Sequence, residues 1–310
     1  MAFALFTSSL QSVTLAQRVE ELRAAIRRAD HEYYNLGQPT LTDAQYDELM
    51  RELMQLERDN EELRATDSPT QRVGAPLPKG SALATHPHLA PMGSIESLMT
   101  ADEVLEFTAR ARKLLSLDAP ASLSWACEPK LDGVSANLLY ENGRFVRALS
   151  RGDGASGEDV SANVRTVRNL PLQLLGPGPF PQRIEIRGEV IMQKQDFARL
   201  RDTEETSSEG TFRNARNTVS GTLKLLDPRV VAQRRMDFLA FAIGHVEGME
   251  FATHSELRAQ LTAWGFQVAT PFALVDDDAG VLAFRDQLER QRDSLEYELD
   301  GIVAKVDRLD

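Results

Sequence analysis

The sequence predicts an α+β protein, in which a small helical domain precedes a larger domain of mostly antiparallel sheets with flanking helices. Apolar residues recur at helical spacing in the first part of the chain, whereas from residue 123 they alternate along short segments bounded by turns. A chain of 310 residues is also longer than a single hydrophobic core usually supports, so two domains are expected. We place them at 1–75 and 76–310, because periodicity fades and prolines gather over 67–93, which suits a linker or an irregular arm.

The first domain is predicted to contain two helices. Thr14 with Gln17, and Thr42 with Gln45, form the capping-box pattern that begins a helix. Apolar residues follow each box at intervals of three or four positions, and residues 35–39 between the helices are rich in turn formers. This pattern indicates a small helical module.

The second domain mixes helices with hairpins. Residues 134–149 alternate around Asn142-Gly143, the dipeptide of a tight hairpin turn. Two further segments alternate as strands do, RIEIRGEVIM at 183–192 and ELDGIVAKV at 298–306, and helical spacing returns at 100–116, 255–264 and 278–294. We find no regular βαβ succession, internal repeat or Gly-rich phosphate loop in the sequence.

Composition restricts the function classes. A net charge of −12 argues against nucleic-acid binding, although residues 211–235 hold six basic side chains against one acidic. The single cysteine, Cys127, excludes an intramolecular disulfide and a multi-cysteine zinc site. No apolar run approaches the roughly 20 residues of a membrane helix, and the first residues lack a basic signal-peptide region. We therefore expect a cytoplasmic protein without a membrane partner.

The segment CEPKLDG at 127–133 is the sharpest candidate for chemistry. In an extended chain Glu128, Lys130 and Asp132 share one face, and Gly133 allows another group to approach the backbone. An exposed ion pair is one interpretation, and a nucleophilic amine is the other. Flanking carboxylates favour the unreactive ammonium form, so the second interpretation needs a metal-phosphate substrate nearby.

Three later fragments fit the second interpretation. SRGDG places Arg151 at the end of a predicted strand, where it could reach an anion or a ribose. RGE places Glu189 on the strand face opposite its apolar row, and DGIVAKV does the same for Lys305. Charged residues on a polar strand face are common, so each fragment alone is weak evidence for a nucleophilic lysine. The order of the fragments along the chain is the stronger evidence.

That order resembles the covalent nucleotidyltransferases, the superfamily of DNA ligases, RNA ligases and capping enzymes. Three segments are specifically similar to bacterial NAD-dependent DNA ligases: HEYYNLGQPTLTDAQYDELM at 31–50, HPHLAPMGSIESL at 86–98 and TFRNARNTVSGTLKLLDPR at 211–229. The resemblance extends from about residue 15 to 310. It implies an NAD/NMN-binding helical module followed by a nucleotidyltransferase (adenylation) domain.

The resemblance also implies a role for each motif residue. Lys130 is implied to become adenylylated by NAD, which is both substrate and cofactor. The implied nucleotide contacts are Glu128 at the adenine, Asp132 near phosphate and metal, Arg151 at the nucleotide, Glu189 at the ribose, Lys305 at the α-phosphate, and Ser94 with Ile95 at the adenosine pocket. Magnesium, or manganese, is expected to arrive on the substrate phosphates.

The nicotinamide mononucleotide (NMN) half is implied to bind Tyr33, Asp43, Tyr46 and Asp47. The last three are spaced i, i+3 and i+4, so they share one helix face, and aromatic rings with carboxylates suit a cationic ring. From the residues alone, the structural interpretation is favoured for two of them. Asp43 stabilises a helix dipole wherever it stands at an N-terminus, and Tyr46 suits a core.

The implied reaction is the first step of sealing nicks in duplex DNA during replication and repair. Ligases of this family continue into an oligonucleotide-binding domain, a four-cysteine zinc module and further DNA-binding domains, so zinc is expected only there. We therefore expect a monomeric N-terminal fragment that adenylates itself but, without those domains, does not seal nicks efficiently. A further motif lysine usually follows DGIVAKV, and its absence is expected to weaken self-adenylation. Arg213 and Arg216 of the basic segment are expected to contact the nicked DNA.

Three alternatives remain open at this stage. A nucleotidyltransferase that uses ATP or GTP would share KLDG and DGIVAKV, but would have no need of HEYYNLGQPTLTDAQYD. A non-catalytic interaction domain would account for the acidic surface. A regulatory NAD-binding module would bind the dinucleotide without needing Lys130 as a nucleophile.

Overall fold

The computed structural model describes residues 14–34, 40–71, 82–115, 123–204 and 214–309. The chain divides into two compact units, Met1–Gln71 and Arg72–Asp310. Within the described ranges, no helix combines the length and the apolarity that crossing a bilayer requires.

The N-terminal unit is helical, as predicted. Helices α1 (Leu15–Tyr34) and α2 (Asp43–Asp59) are followed by short 3-10 turns at Glu61–Leu63 and Pro69–Gln71. Thr42 and Gln45 form a complete capping box, with side-chain and backbone groups satisfied in both directions. The same reciprocal bonds join Thr14 and Gln17 at the start of α1. The two predicted helix starts are therefore confirmed.

The core of this unit combines apolar contacts with one buried ion pair. Val19, Leu22 and Ile26 of α1 pack against Leu53 of α2. Beside them Arg23 Nη2 lies 2.6 Å from a carboxylate oxygen of Glu57, with both side chains at least 95% buried. Because a buried charge is costly without a partner, this pair fixes the relative register of the two helices.

The C-terminal unit is built on three sheets. Its elements are β1 (Thr85–Pro87), α3 (Ala101–Leu114), β2 (Trp125–Leu131), β3 (Val134–Glu141), β4 (Arg144–Ser150), β5 (Ser156–Glu158), α4 (Ser161–Val164), β6 (Arg183–Ile191), α5 (Lys194–Glu204), α6 (Ala215–Leu223), α7 (Pro228–Val231), β7 (Asp237–Glu247), α8 (His254–Ala263), β8 (Gln267–Val268), β9 (Ala273–Val275), α9 (Asp278–Gln291) and β10 (Leu299–Val306). The sheet orders are β4-β3-β6-β7-β8, β10-β2-β9 and β1-β5, and among the described pairs β7 with β8 is parallel and the others are antiparallel. The predicted α+β class is confirmed.

Part of the proline-rich stretch differs from the predicted linker or irregular arm. Residues 85–87 form β1, which pairs with β5. Beyond the strand, the backbone N–H of His88 bonds to the carbonyl of Ala155, and that of Met92 to the carbonyl of Gly154. Prolines do not prevent this, because the N–H groups that bond belong to the residues between them.

The three-stranded sheet separates a core face from a polar face. Trp125 and Cys127 of β2 and the apolar row of β10 pack against α3 and α9. Because side chains alternate along a strand, Glu128, Lys130 and Lys305 project from the opposite face. The fold thus gathers three predicted site residues on one surface of two paired strands.

Candidate active site

Lys130 lies near the C-terminal end of β2. Gly301 of β10 is its register partner, and its ammonium pairs with the carboxylate of Asp300. Both side chains reach solvent, at 32% and 54% exposure. The hydrogen bond from Lys130 holds the pKa of Asp300 below its usual range. The amine is therefore accessible to a ligand, but it must release both Asp300 and a proton before it can act as a nucleophile.

The turn that follows β2 brings further charge beside Lys130. Asp132 lies just beyond the end of the strand, and Arg216 of α6 donates to its carboxylate at 3.1 Å. Gly133 lies so close to β6 that an added Cβ would come within 2.4 Å of the carbonyl oxygen of Val190. This contact explains why the motif needs glycine at that position.

Glu189 of β6 faces Ser135 of β3, whose hydroxyl donates to its carboxyl at 2.8 Å. Burial raises the pKa of Glu189 to about 7, although the Ser135 bond and the charges of Arg216 and Lys130 oppose the rise. A carboxyl with such a pKa either accepts or donates a hydrogen bond near neutral pH, which suits contact with a hydroxyl-bearing ligand.

Glu128 lies two positions before Lys130 and has different surroundings. Its side chain is 9% exposed, and each oxygen faces a different cation. Lys305 Nζ lies 2.5 Å from Oε1, and Arg258 Nη1 lies 3.6 Å from Oε2. Lys305 also donates to the carbonyl of Phe241 at 2.8 Å, with its ammonium 5.5 Å from the ring centroid of that residue. This part of the site combines a buried carboxylate, two cations and an aromatic ring.

Lys305 is separated from Lys130 along the sheet. It is four residues beyond Gly301, the register partner of Lys130, which corresponds to about 13 Å of strand. The structure thus joins Lys305 to the predicted adenine-side residue Glu128. A role at the α-phosphate requires its ammonium to leave Glu128.

The predicted adenosine segment is tied to the site by Arg151, whose guanidinium donates to the hydroxyl of Ser94 at 2.7 Å. Ile95 beside it is exposed. Upstream, Glu185 accepts hydrogen bonds from the backbone of Leu89 and Ala90 at 2.7 and 3.1 Å. These bonds fix the path of the chain that leads to Ser94.

A cavity of about 290 Å³ opens beside this segment. Ile95, Leu98, Phe107, Trp125 and Ile302 contribute to its mainly apolar wall, and Lys305 also borders it. Lys130 does not line it, so the Lys130 amine and this recess are distinct parts of the surface.

In the N-terminal unit, Tyr46 is half-buried and packs against the apolar cluster of α1 and α2. Its hydroxyl donates to a carboxylate oxygen of Asp30 at 2.8 Å. Asp47 is exposed on the same helix. The side chains of Tyr33 and Asp43 lie outside the described residues, as does Arg213 of the basic segment.

The described residues contain no group of three or more His, Cys, Asp or Glu side chains arranged to hold a metal ion. Asp132 and Asp300 lie beside Lys130, but each pairs with a cationic side chain. Proteins typically supply one or two carboxylates to magnesium and substrate phosphates complete its coordination, so these two residues fit a metal that arrives with a nucleotide.

Two family models match this chain. Residues 80–310 match the NAD-dependent DNA ligase adenylation domain, and residues 12–74 match the DNA ligase-like, N-terminal NAD+-binding domain. The chain belongs to the NAD-dependent DNA ligase adenylation-domain family. The predicted family and the predicted adenylation domain are thereby confirmed.

Curated relatives of this ligase family agree. The chain is 42% identical over 293 residues to a DNA ligase of Halorhodospira halophila, covering 94% of this chain and 40% of that protein. It is 42% identical over 292 residues to a DNA ligase of Geobacter metallireducens, covering 94% and 43%. The chain thus spans less than half the length of these relatives.

Solved structures give a more distant likeness to ligases. The ligase domain of M. tuberculosis LigD shares 17% identity with this chain at a TM-score of 0.35, over 60% of this chain and 49% of that one. A mycobacterial DNA ligase D complexed with ATP and MES shares 16% identity at a TM-score of 0.32, over the same fractions.

The structure adds neighbours of the candidate site that the sequence did not indicate. Asp300 is the first residue of the DGIVAKV segment, so the sequence motif already contained it. Its pairing with Lys130, however, depends on the register of β10 against β2. Phe241 and Arg258 lie far along the chain in ordinary strand and helix patterns. Their proximity to Glu128 follows from tertiary packing, and no local signal could have shown it.

Proposed function

We propose that this chain transfers the adenylate of NAD+ to its own Lys130. The Nζ lone pair attacks the α-phosphorus, the bond from that phosphorus to the bridging oxygen breaks, and NMN leaves with the electron pair. The ammonium loses one proton to solvent before the attack and the nitrogen loses a second as the P–N bond forms, which leaves AMP joined to the lysine as a phosphoramide. The observation that carries the proposal is the placement of Lys130, an accessible amine bordered by Asp300, in a chain of the ligase family.

The surrounding groups supply positioning and charge. Arg216 lies beside Asp132, where a guanidinium can neutralise phosphate as negative charge develops. Glu189 is proposed to bind the ribose, and Arg151 with Ser94 and Ile95 to bind the adenosine. Glu128 is proposed to accept from the adenine, and the Phe241 ring offers the base a surface on which to stack.

The N-terminal unit is proposed to hold the NMN half through Tyr33, Asp43, Tyr46 and Asp47. The match of residues 12–74 to an NAD+-binding domain supports this proposal, since the four residue numbers fall within that range. Magnesium is proposed to arrive bound to the dinucleotide phosphates. None of the steps above depends on it.

For the whole protein, we propose the sealing of nicks in duplex DNA during replication and repair. The relatives named DNA ligase support this activity. Arg213 and Arg216 are retained as proposed DNA contacts, although Arg216 pairs with Asp132. A monomeric, cytoplasmic protein remains part of the same proposal.

Intact-mass spectrometry tests the proposal. The chain is incubated with magnesium and either NAD+ or ATP, alongside the Lys130→Ala and Lys113→Ala variants, because Lys113 is an exposed lysine on α3. We expect the mass of one AMP to be added from NAD+ to the native chain and to Lys113→Ala, and not to Lys130→Ala. An adduct formed from ATP alone, or one that persists in Lys130→Ala, would overturn the proposal.

A further inference from the structure

The structure points to Arg258 as a positioning residue that holds the Glu128 carboxylate in place as a hydrogen-bond acceptor, and so helps to select a base carrying an amino group. Arg258 belongs to α8 and does not lie on the strands that carry the other site residues. The inference rests on the proposed function, because it concerns the base of the dinucleotide that Lys130 attacks.

Arg258 is fixed independently of Glu128. Its guanidinium donates to the carbonyl of Ala269 and lies over the ring of Phe272, with Cζ 4.6 Å from the centroid. The side chain is 15% exposed. A guanidinium held by a carbonyl and an aromatic face keeps its position when a ligand enters, so its charge remains close to Glu128 Oε2.

Lys305 has a different relation to Glu128. It extends from β10, borders the cavity beside Ile95, and divides its hydrogen bonds between Glu128 and the Phe241 carbonyl. An entering nucleotide that recruits this ammonium would remove one of the two cations from Glu128. Arg258 would then keep the buried carboxylate paired, because a single remaining cation avoids an isolated buried charge.

His254 of α8 does not supply a third positive charge. Burial and the neighbouring Lys305 lower the pKa of its imidazole, while Glu128 and Asp307 oppose that shift. Near neutral pH the ring is therefore uncharged. The cations that face Glu128 among the described residues are thus Lys305 and Arg258.

The position of the Glu128 carboxylate decides which base it can contact. A carboxylate accepts hydrogen bonds only, so it pairs with the 6-amino group of adenine and repels a 6-oxo group. By holding this carboxylate in place, Arg258 favours adenine over a 6-oxopurine such as hypoxanthine.

The test compares Arg258→Gln with the native chain in single-turnover adenylation by NAD+ and by nicotinamide hypoxanthine dinucleotide. Glutamine keeps a donor for the Ala269 carbonyl but removes the charge. We expect the NAD+ concentration for half-maximal rate to rise about tenfold, with the maximal rate nearly unchanged and the preference for NAD+ reduced. Arg258→Lys should recover most of the affinity, and Arg290→Gln, a change at an exposed arginine on α9, should match the native chain.

A double variant distinguishes a positioning role of Arg258 from a non-specific structural effect of its substitution. In a Glu128→Gln background, Arg258→Gln should cause little further loss, because the carboxylate that it positions is absent. Equal half-maximal concentrations and equal base preference in the native chain and Arg258→Gln would overturn the inference. If the native chain formed no adduct at all, the proposed function would fail instead. If Arg258→Gln did not fold, unchanged affinity in the milder Arg258→His variant would overturn the inference.

Discussion

Lys130 and Glu128 lie two residues apart on the same face of β2, yet they occupy opposite kinds of environment. Lys130 is 32% exposed and has an exposed partner in Asp300, whereas Glu128 is 9% exposed and faces two largely buried cations. Exposed ion pairs contribute little to stability, because water competes for both charges. Breaking a buried pair leaves an uncompensated charge and is costly.

Under the proposed function, this difference separates reaction from recognition along a single strand. At the exposed end, the pair between Lys130 and Asp300 can exchange for contacts with a phosphate at little cost. At the buried end, Glu128 is held by its two cations, which suits the base-reading role proposed for it. Substitutions of nearby residues at the two ends are therefore expected to change the free energy of unfolding by different amounts.

The largest effect on stability is expected at the buried end. Glu128→Ala leaves Lys305 and Arg258 without their carboxylate, so the free energy of unfolding should fall by about 3–5 kcal/mol. Urea unfolding followed by tryptophan fluorescence measures this change in the C-terminal unit, which contains both tryptophans of the chain, Trp125 and Trp264. A loss below about 1 kcal/mol would mean that the buried end is not held by these charges.

An intermediate effect is expected at Glu189, through pH. Its pKa is about 7 in the folded chain against an ordinary 4.5, so the folded state binds the extra proton between these values. The free energy of unfolding should therefore fall as pH rises from about 4.5 to 7, by about 3 kcal/mol. In Glu189→Gln this pH-dependent decrease in the free energy of unfolding should be absent. In Glu250→Gln, a change on the surface, it should remain. Equal pH dependence in Glu189→Gln and the native chain would contradict the assigned shift.

The smallest effect is expected at the exposed end. Asp300→Asn removes the partner of Lys130, yet the free energy of unfolding should change by less than about 1 kcal/mol. The same fluorescence measurement applies, and any difference should shrink further in high salt because exposed charges are screened. A loss as large as that of Glu128→Ala would remove the distinction between the two ends.

Much of the fold could be predicted because its signals are local. The capping boxes at Thr14 and Thr42, the Asn142-Gly143 turn and the alternation in β6 each depend on a few neighbouring residues. Asn142 and Gly143 indeed have φ values of 50° and 79°, as such a hairpin turn requires. The pairing of β1 with β5 was not predicted, because two three-residue strands carry too little pattern to indicate a partner 70 residues away.

The candidate site divides in the same way. Lys130, Glu128 and Lys305 were assigned from short motifs and from the resemblance to a family, and strand alternation places them on one face. Their individual partners depend on register and packing. Lys305 was expected at a phosphate and pairs with Glu128, while Arg216 was expected at DNA and pairs with Asp132. The spacing of residues along the sequence does not determine these ion-pair partners.

Locating the adenylate within the chain tests the central claim most directly. The native protein is treated with NAD+ and magnesium, digested at mildly alkaline pH to preserve a phosphoramide, and sequenced by tandem mass spectrometry. We expect AMP on Lys130 alone, in the peptide that spans the end of β2. AMP on Lys305, on Lys113 or on a carboxylate side chain would contradict the assignment of Lys130 as the nucleophile.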